Sequence, residues 1–91
     1  MSLRLVVMGL GYVGLPLALE AARAGLQVVG VDEDEAVVSG LNQGRSHVDD
    51  ITDGEISDVL VKDFVVTTDP SAVGGADVVV ICVPTPLDGN L

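Results

Sequence analysis

With 91 residues, 48% of them hydrophobic, the chain has material for one modest core and no room for two, so a single domain over residues 1–91 is expected. Four basic residues against 14 acidic ones, a formal net charge of −10, argue against nucleic acid, anionic membrane surfaces and any mechanism resting on a basic patch. The lone Cys82 cannot form an internal disulfide, no Cys/His cluster has metal-ligand spacing, and the N-terminal apolar run is too short to span a bilayer and lacks a cleavage site; the expectation is a soluble, cytoplasmic chain that holds no metal.

Aromatic residues are limited to Tyr12 and Phe64 while Val, Ala, Leu and Gly abound, a composition suited to parallel strands covered by helices. Arg4 to Met8 reads as a strand because Leu5-Val6-Val7-Met8 is a continuous apolar run that ends at a glycine. A helix from Tyr12 or Val13 to Ala24 follows, with Pro16 in its first turn and Gly25 as its stop. Val28 to Val31 is the second strand, with Asp32 at its carboxyl end. The next helix, Asp34 to Leu41, contains Gly40 and is closed by Asn42 and Gly44. Thr52-Asp53-Gly54-Glu55 has the spacing of a capping box and opens a short helix through Leu60. Phe64 to Thr67 is the third strand, Asp69-Pro70 caps and opens a short helix that Gly74-Gly75 ends, and Val78 to Val83 is the fourth strand. Strands alternating with helices under right-handed crossovers give an α/β, Rossmann-like parallel sheet of four strands in the order 3-2-1-4, with flanking helices.

Gly9, Gly11 and Gly14 lie at the first strand-to-helix turn of that sheet. Gly9 permits a tight turn, Gly11 lets the backbone approach a pyrophosphate without an intervening Cβ, and Gly14 lets the helix pack closely on the strand. The phosphate charge is met by helix N–H groups and the helix dipole, so an acidic chain can still bind an anion. Gly-x-Gly-x-x-Gly alone is a weak signal. It gains force from the flanking strand, the alanine-rich helix and Asp32, 18 positions after Gly14, where a carboxylate can accept hydrogen bonds from both adenosine ribose hydroxyls. A 2′-phosphate would meet Asp32 together with Glu33, Asp34 and Glu35, which favours NAD over NADP. FAD and S-adenosylmethionine are the competing cofactors. Glu33, Asp34 and Glu35 otherwise read as a solvated helix start.

Val83-Pro84-Thr85-Pro86-Leu87 follows the fourth strand at the point where strand order reverses, the place where ligands of such sheets bind. Both Val83 and Thr85 precede proline, so the segment is a stiff strap on which Thr85 supplies a backbone donor and a hydroxyl. Val83, Pro84 and Thr85 are read as a wall on the nicotinamide side. The acidic run Asp49, Asp50, Asp53, Glu55, Asp58 and Asp63 fails as a calcium loop, because positions three and twelve would be Ile51 and Leu60. His47 reads as a surface loop histidine, Lys62 as a solvated charge, and Cys82 as a buried structural thiol inside an apolar strand.

Together, "GLGYVGLPLA", the "VGVD" ending in Asp32, "LNQGRSHVDDI" and "ICVPTPL" resemble, in order and spacing, the N-terminal NAD-binding region of the UDP-glucose/GDP-mannose dehydrogenase family. The leucine of "GLGYVGLP" and the "GRSHVDDI" stretch are closer to its UDP-N-acetylglucosamine and UDP-N-acetylmannosamine branch. The resemblance implies an enzyme that oxidises the C6 alcohol of a UDP-sugar to a carboxylate with two NAD, through a thiohemiacetal on a catalytic cysteine, and that works as a homo-oligomer. It implies that Gly9, Gly11 and Gly14, with Tyr12 and Val13, form the pyrophosphate turn, that Asp32 holds the ribose and that Thr85 lies by the cofactor. The family's Cys-Phe-Pro-Lys-Asp type segment and its catalytic lysine have no counterpart here, so no catalytic residue is assigned. The expectation is a truncated NAD-binding domain without the catalytic middle and C-terminal domains, inactive alone. A self-contained nucleotide-binding or regulatory module is the alternative.

Overall fold

The computed structural model describes residues 3–82. Its elements are β1 (Arg4–Met8), α1 (Gly14–Arg23), β2 (Gln27–Val31), α2 (Glu35–Asn42), α3 (Asp53–Leu60), β3 (Phe64–Thr67), a 3₁₀ helix (Pro70–Gly75) and β4 (Val78–Ile81). The four strands form one parallel sheet in the order β3-β2-β1-β4, as the alternation of elements predicts. Val6 stands beside Val29 on one flank and Val79 on the other, and Val29 beside Val65.

Successive strand residues face opposite sides of a sheet. Leu5 and Val7 of β1, Val28 of β2, and Phe64 and Val66 of β3 join the main core with Leu15, Ala18, Leu19 and Ala22 of α1, Leu41 of α2, and Ile56 and Val59 of α3. The α1 positions recur at helical spacing, which gives that helix one apolar stripe to lay on the sheet. Each fully buried Leu or Val contributes on the order of 1.5–3 kcal/mol. The opposite face carries Val6, Val29, Val65 and Val79. Val6 at its centre is fully buried, but toward the outer strands it is thinly covered: Val65 is 57% exposed and Ile81 66%.

Helix boundaries follow local chemistry. Asp34 caps α2 through Ala36 N–H at 2.9 Å, and Thr52 Oγ1 accepts Glu55 N–H at 3.1 Å to cap α3. Asp69 accepts Ser71 N–H at 2.9 Å at the head of the 3₁₀ helix, a bond that holds its carboxyl below the usual aspartate range. Both α1 and α2 close with paired bonds past a glycine, Gly25 N–H to Ala22 and Leu26 N–H to Ala21 in the first, Gly44 N–H to Leu41 and Arg45 N–H to Gly40 in the second.

Three expectations shift. Helix α1 begins at Gly14, not at Tyr12 or Val13, because those two residues belong to the turn and Val13 is its N-cap. The segment Pro70–Gly75 winds as a 3₁₀ helix, since two closing glycines after four residues leave no length for an α-helix. Within the described residues β4 ends at Ile81; Cys82 still donates its N–H to Met8 at 2.7 Å. Val83, Pro84, Thr85 and Pro86 lie outside the described residues.

Candidate functional site

At the carboxyl ends of β1, β2 and β4 the chain forms a cleft of about 460 Å³, lined by Gly9, Asp32, Glu33, Thr68, Pro70 and Cys82 with Met8, Val31 and Ile81 as apolar walls. Gly9 turns there with φ +97° while donating its N–H to the Val31 carbonyl at 2.7 Å, a backbone state that L side chains rarely adopt. A Cβ at Gly9 would also run into the Cys82 carbonyl, and one at Gly14 into the Gly9 carbonyl. Gly14 therefore admits the helix against the turn itself, and not against the body of the strand. At Gly11 a Cβ would meet nothing within 4 Å.

The start of α1 differs from the other helix starts in the described residues. Its N-cap, Val13, makes no side-chain bond and its first turn holds no acid, whereas Asp34, Thr52 and Asp69 cap the rest. Among the described residues nothing accepts from the N–H groups of Gly11, Tyr12 or Val13. Unpaired N–H groups at the positive end of a helix are a site for an anion, and a pyrophosphate is the anion whose size and charge suit a glycine turn. Tyr12 and Val13 are 70% and 71% exposed and stand in the turn outside the cleft lining.

Asp32 leaves β2 with both carboxylate oxygens engaged. Oδ2 accepts Leu10 N–H at 2.9 Å and Oδ1 accepts Asp34 N–H at 2.9 Å, so the side chain ties the glycine turn to the start of α2. Each carboxylate oxygen offers more than one acceptor direction, which leaves capacity for a ribose hydroxyl. Glu33 adds a second acid to the lining, an arrangement that repels a further phosphate. Asp34 is committed to capping α2.

The reading of Cys82 is corrected, and that of His47, an exposed loop histidine as expected, is extended. Cys82 is only partly buried; it packs on the core and faces the cleft, because it lies just past the end of β4 where the sheet opens. His47, though exposed, directs its ring at the turn: Nε2 meets the Leu10 carbonyl at 2.6 Å. A lone histidine in a loop gives no spacing signal, and the contact spans 37 residues. Thr68, which also lines the cleft, had no motif to mark it, and Pro70 was marked only as a helix start.

A parallel sheet of order 3-2-1-4 with a glycine turn, an uncapped helix and a carboxylate gathered at its carboxyl edge defines a Rossmann-like domain. Residues 3–91 match the UDP-glucose/GDP-mannose dehydrogenase family, NAD binding domain. The chain belongs to this family, a family of oxidoreductases, and carries its NAD-binding domain. It is 38% identical over 90 residues to the UDP-N-acetyl-D-mannosamine dehydrogenase of Pyrococcus horikoshii, covering 97% of this chain and 22% of that protein. It is 40% identical over 90 residues to the NDP-N-acetyl-D-galactosaminuronic acid dehydrogenase of Ralstonia nicotianae, covering 92% of this chain and 20% of that one. The solved P. horikoshii structure superposes with a TM-score of 0.86 over 97% of this chain and 22% of that chain. A ternary complex of GDP-mannose dehydrogenase from Pseudomonas aeruginosa, 33% identical, gives 0.83 over 97% and 21%. The chain thus spans about a fifth of the length of these relatives. No helix in the described residues is long and apolar enough to cross a membrane.

Proposed function

We propose that this chain is the NAD-binding portion of a nucleotide-sugar 6-dehydrogenase, which oxidises the C6 alcohol of a UDP-sugar to a carboxylate with two NAD. The observation that carries the reading is the uncapped start of α1 beside an unobstructed Gly11 and the Asp32 carboxylate. Gly9 sets the turn, the Gly11, Tyr12 and Val13 N–H groups take the pyrophosphate, Gly14 seats the helix, and Asp32 accepts the adenosine ribose hydroxyls while Glu33 disfavours a 2′-phosphate. Val83, Pro84 and Thr85 wall the nicotinamide side. Bound NAD supplies the hydride acceptor; the chain's residues bind and orient it. The names of the P. horikoshii relative and of its counterparts in Salmonella typhi and Campylobacter jejuni support the UDP-N-acetylmannosamine branch. The nucleophile belongs to a part of the enzyme outside this chain, so residues 1–91 reduce no NAD alone. A homo-oligomer in the reducing cytoplasm, where a lone cysteine stays a thiol, completes the reading.

Calorimetry of NAD binding tests it. Gly11→Ala and Asp32→Ala should each weaken binding, Asp32→Ala by about 1.5–3 kcal/mol, the loss of a charge-assisted acceptor. Unchanged affinity in both variants would remove the assignment.

A further inference from the structure

Leu10, between the first two glycines of the turn, is held from three sides. Its N–H donates to Asp32 Oδ2 at 2.9 Å, its carbonyl is met by His47 Nε2 at 2.6 Å, and its side chain is fully buried against Gly30, where a Cβ would come within 2.9 Å of Leu10 Cδ1. A carbonyl only accepts, so Nε2 is the ring nitrogen that carries the proton. The Leu10 carbonyl and the Gly11 N–H belong to one planar trans peptide and point in opposite directions. A group that fixes the first therefore aims the second.

From this geometry we infer that His47 is a positioning residue for the nucleotide turn: by donating to the Leu10 carbonyl it sets the Leu10–Gly11 peptide plane and so presents the Gly11 N–H to the pyrophosphate. The inference rests on the NAD reading above. The histidine is itself set in place. Before it, Ser46 N–H donates to Asp53 Oδ1 at 2.8 Å, and Ser46 Oγ bonds both the carbonyl and the N–H of Val48. After it, Val48 and Ile51 are buried in the core. The connection between α2 and α3 thus brings one imidazole to the turn from a distant part of the sequence. Asp32 holds the N–H side of Leu10 and also serves the ribose, whereas His47 acts on the phosphate side alone, and that division makes the role measurable.

The test titrates NAD and, separately, adenosine, which has no phosphate, into the 91-residue chain, its His47→Leu variant and its His47→Gln variant, whose amide offers an N–H at the same reach. His47→Leu should raise the Kd for NAD about two- to tenfold, the worth of one neutral hydrogen bond, and leave adenosine unchanged; His47→Gln should recover most of the loss. Equal NAD affinity in wild type and His47→Leu overturns the proposal, as does a parallel loss for adenosine or a failure of His47→Gln to restore binding. The ¹⁵N shifts of the His47 ring in the wild type give a check independent of any variant: a neutral ring protonated at Nε2 supports the bond to Leu10, and one protonated at Nδ1 overturns it. A wild type that binds neither NAD nor adenosine refutes the nucleotide reading itself, an outcome distinct from wild-type binding that is indifferent to His47.

Discussion

A methyl group added at Gly14 would overlap the Gly9 carbonyl, whereas one added at Gly11 meets nothing within 4 Å. Two glycines of one motif thus answer to different demands, the first to packing and the second to whatever binds in front of the turn. Gly14→Ala should cost about 1–3 kcal/mol of folding stability, the range for overfilling a tight site, while Gly11→Ala should stay within about 0.5 kcal/mol of wild type. Urea unfolding of the two variants checks this; equal destabilisation would mean that Gly11 too is required by the fold. The motif and Asp32 were legible in the sequence because their spacing is local and each residue has a backbone reason to be where it is. His47 was not, since the path of the loop between α2 and α3 is decided by where Val48 and Ile51 find the core, and no local pattern encodes that. Cys82 was misjudged for a related reason. An apolar run marks a strand well but does not say which of its residues passes the end of the sheet.

Among the elements, α2 carries an avoidable weakness. Gly40 lies inside it, and a Cβ there would meet only the Arg45 carbonyl, at 3.9 Å, an ordinary contact. Gly40→Ala should therefore stabilise the domain by about 0.5–1 kcal/mol, because alanine restricts the unfolded chain and suits a helix better. A raised urea midpoint with an unchanged slope is the expected result, and a lowered midpoint would show that the Arg45 side of the turn cannot accept the methyl. The order and type of the elements were legible because each strand is an apolar run bounded by glycine or acid and every helix start but that of α1 has a capping side chain. Element ends were less so. The start of α1 lies at Gly14, since nothing in Tyr12-Val13 announces a turn whose N-cap position is filled by an apolar residue that makes no side-chain bond. The 3₁₀ winding of Pro70–Gly75 reflects a length limit that composition states only indirectly.

Over the whole molecule the sheet is covered unequally. Among the described residues, the three α-helices contribute to one core on one face, while the other face shows Val65 at 57%, Val79 at 39% and Ile81 at 66% exposure, and β4 has a neighbour only in β1. An apolar face beside an outer strand with no lysine on it favours association. Sedimentation of the 91-residue chain should show a concentration-dependent dimer, and Val79→Lys should shift it toward monomer. A wild type that is monomeric at every concentration would rule this out, and association indifferent to the lysine would place the contact elsewhere. The same strand order also bears on how the chain assembles as it is made. Leu5 lies beside Val78, so β1 is synthesised well before β4 and waits for it before its second flank is closed. Until then β1, β2 and β3 can pair with the helices already laid over them, but β1 remains an open edge. Pairing β4 with β1 closes the widest sequence separation in the sheet, and contacts that far apart are the slow ones to form.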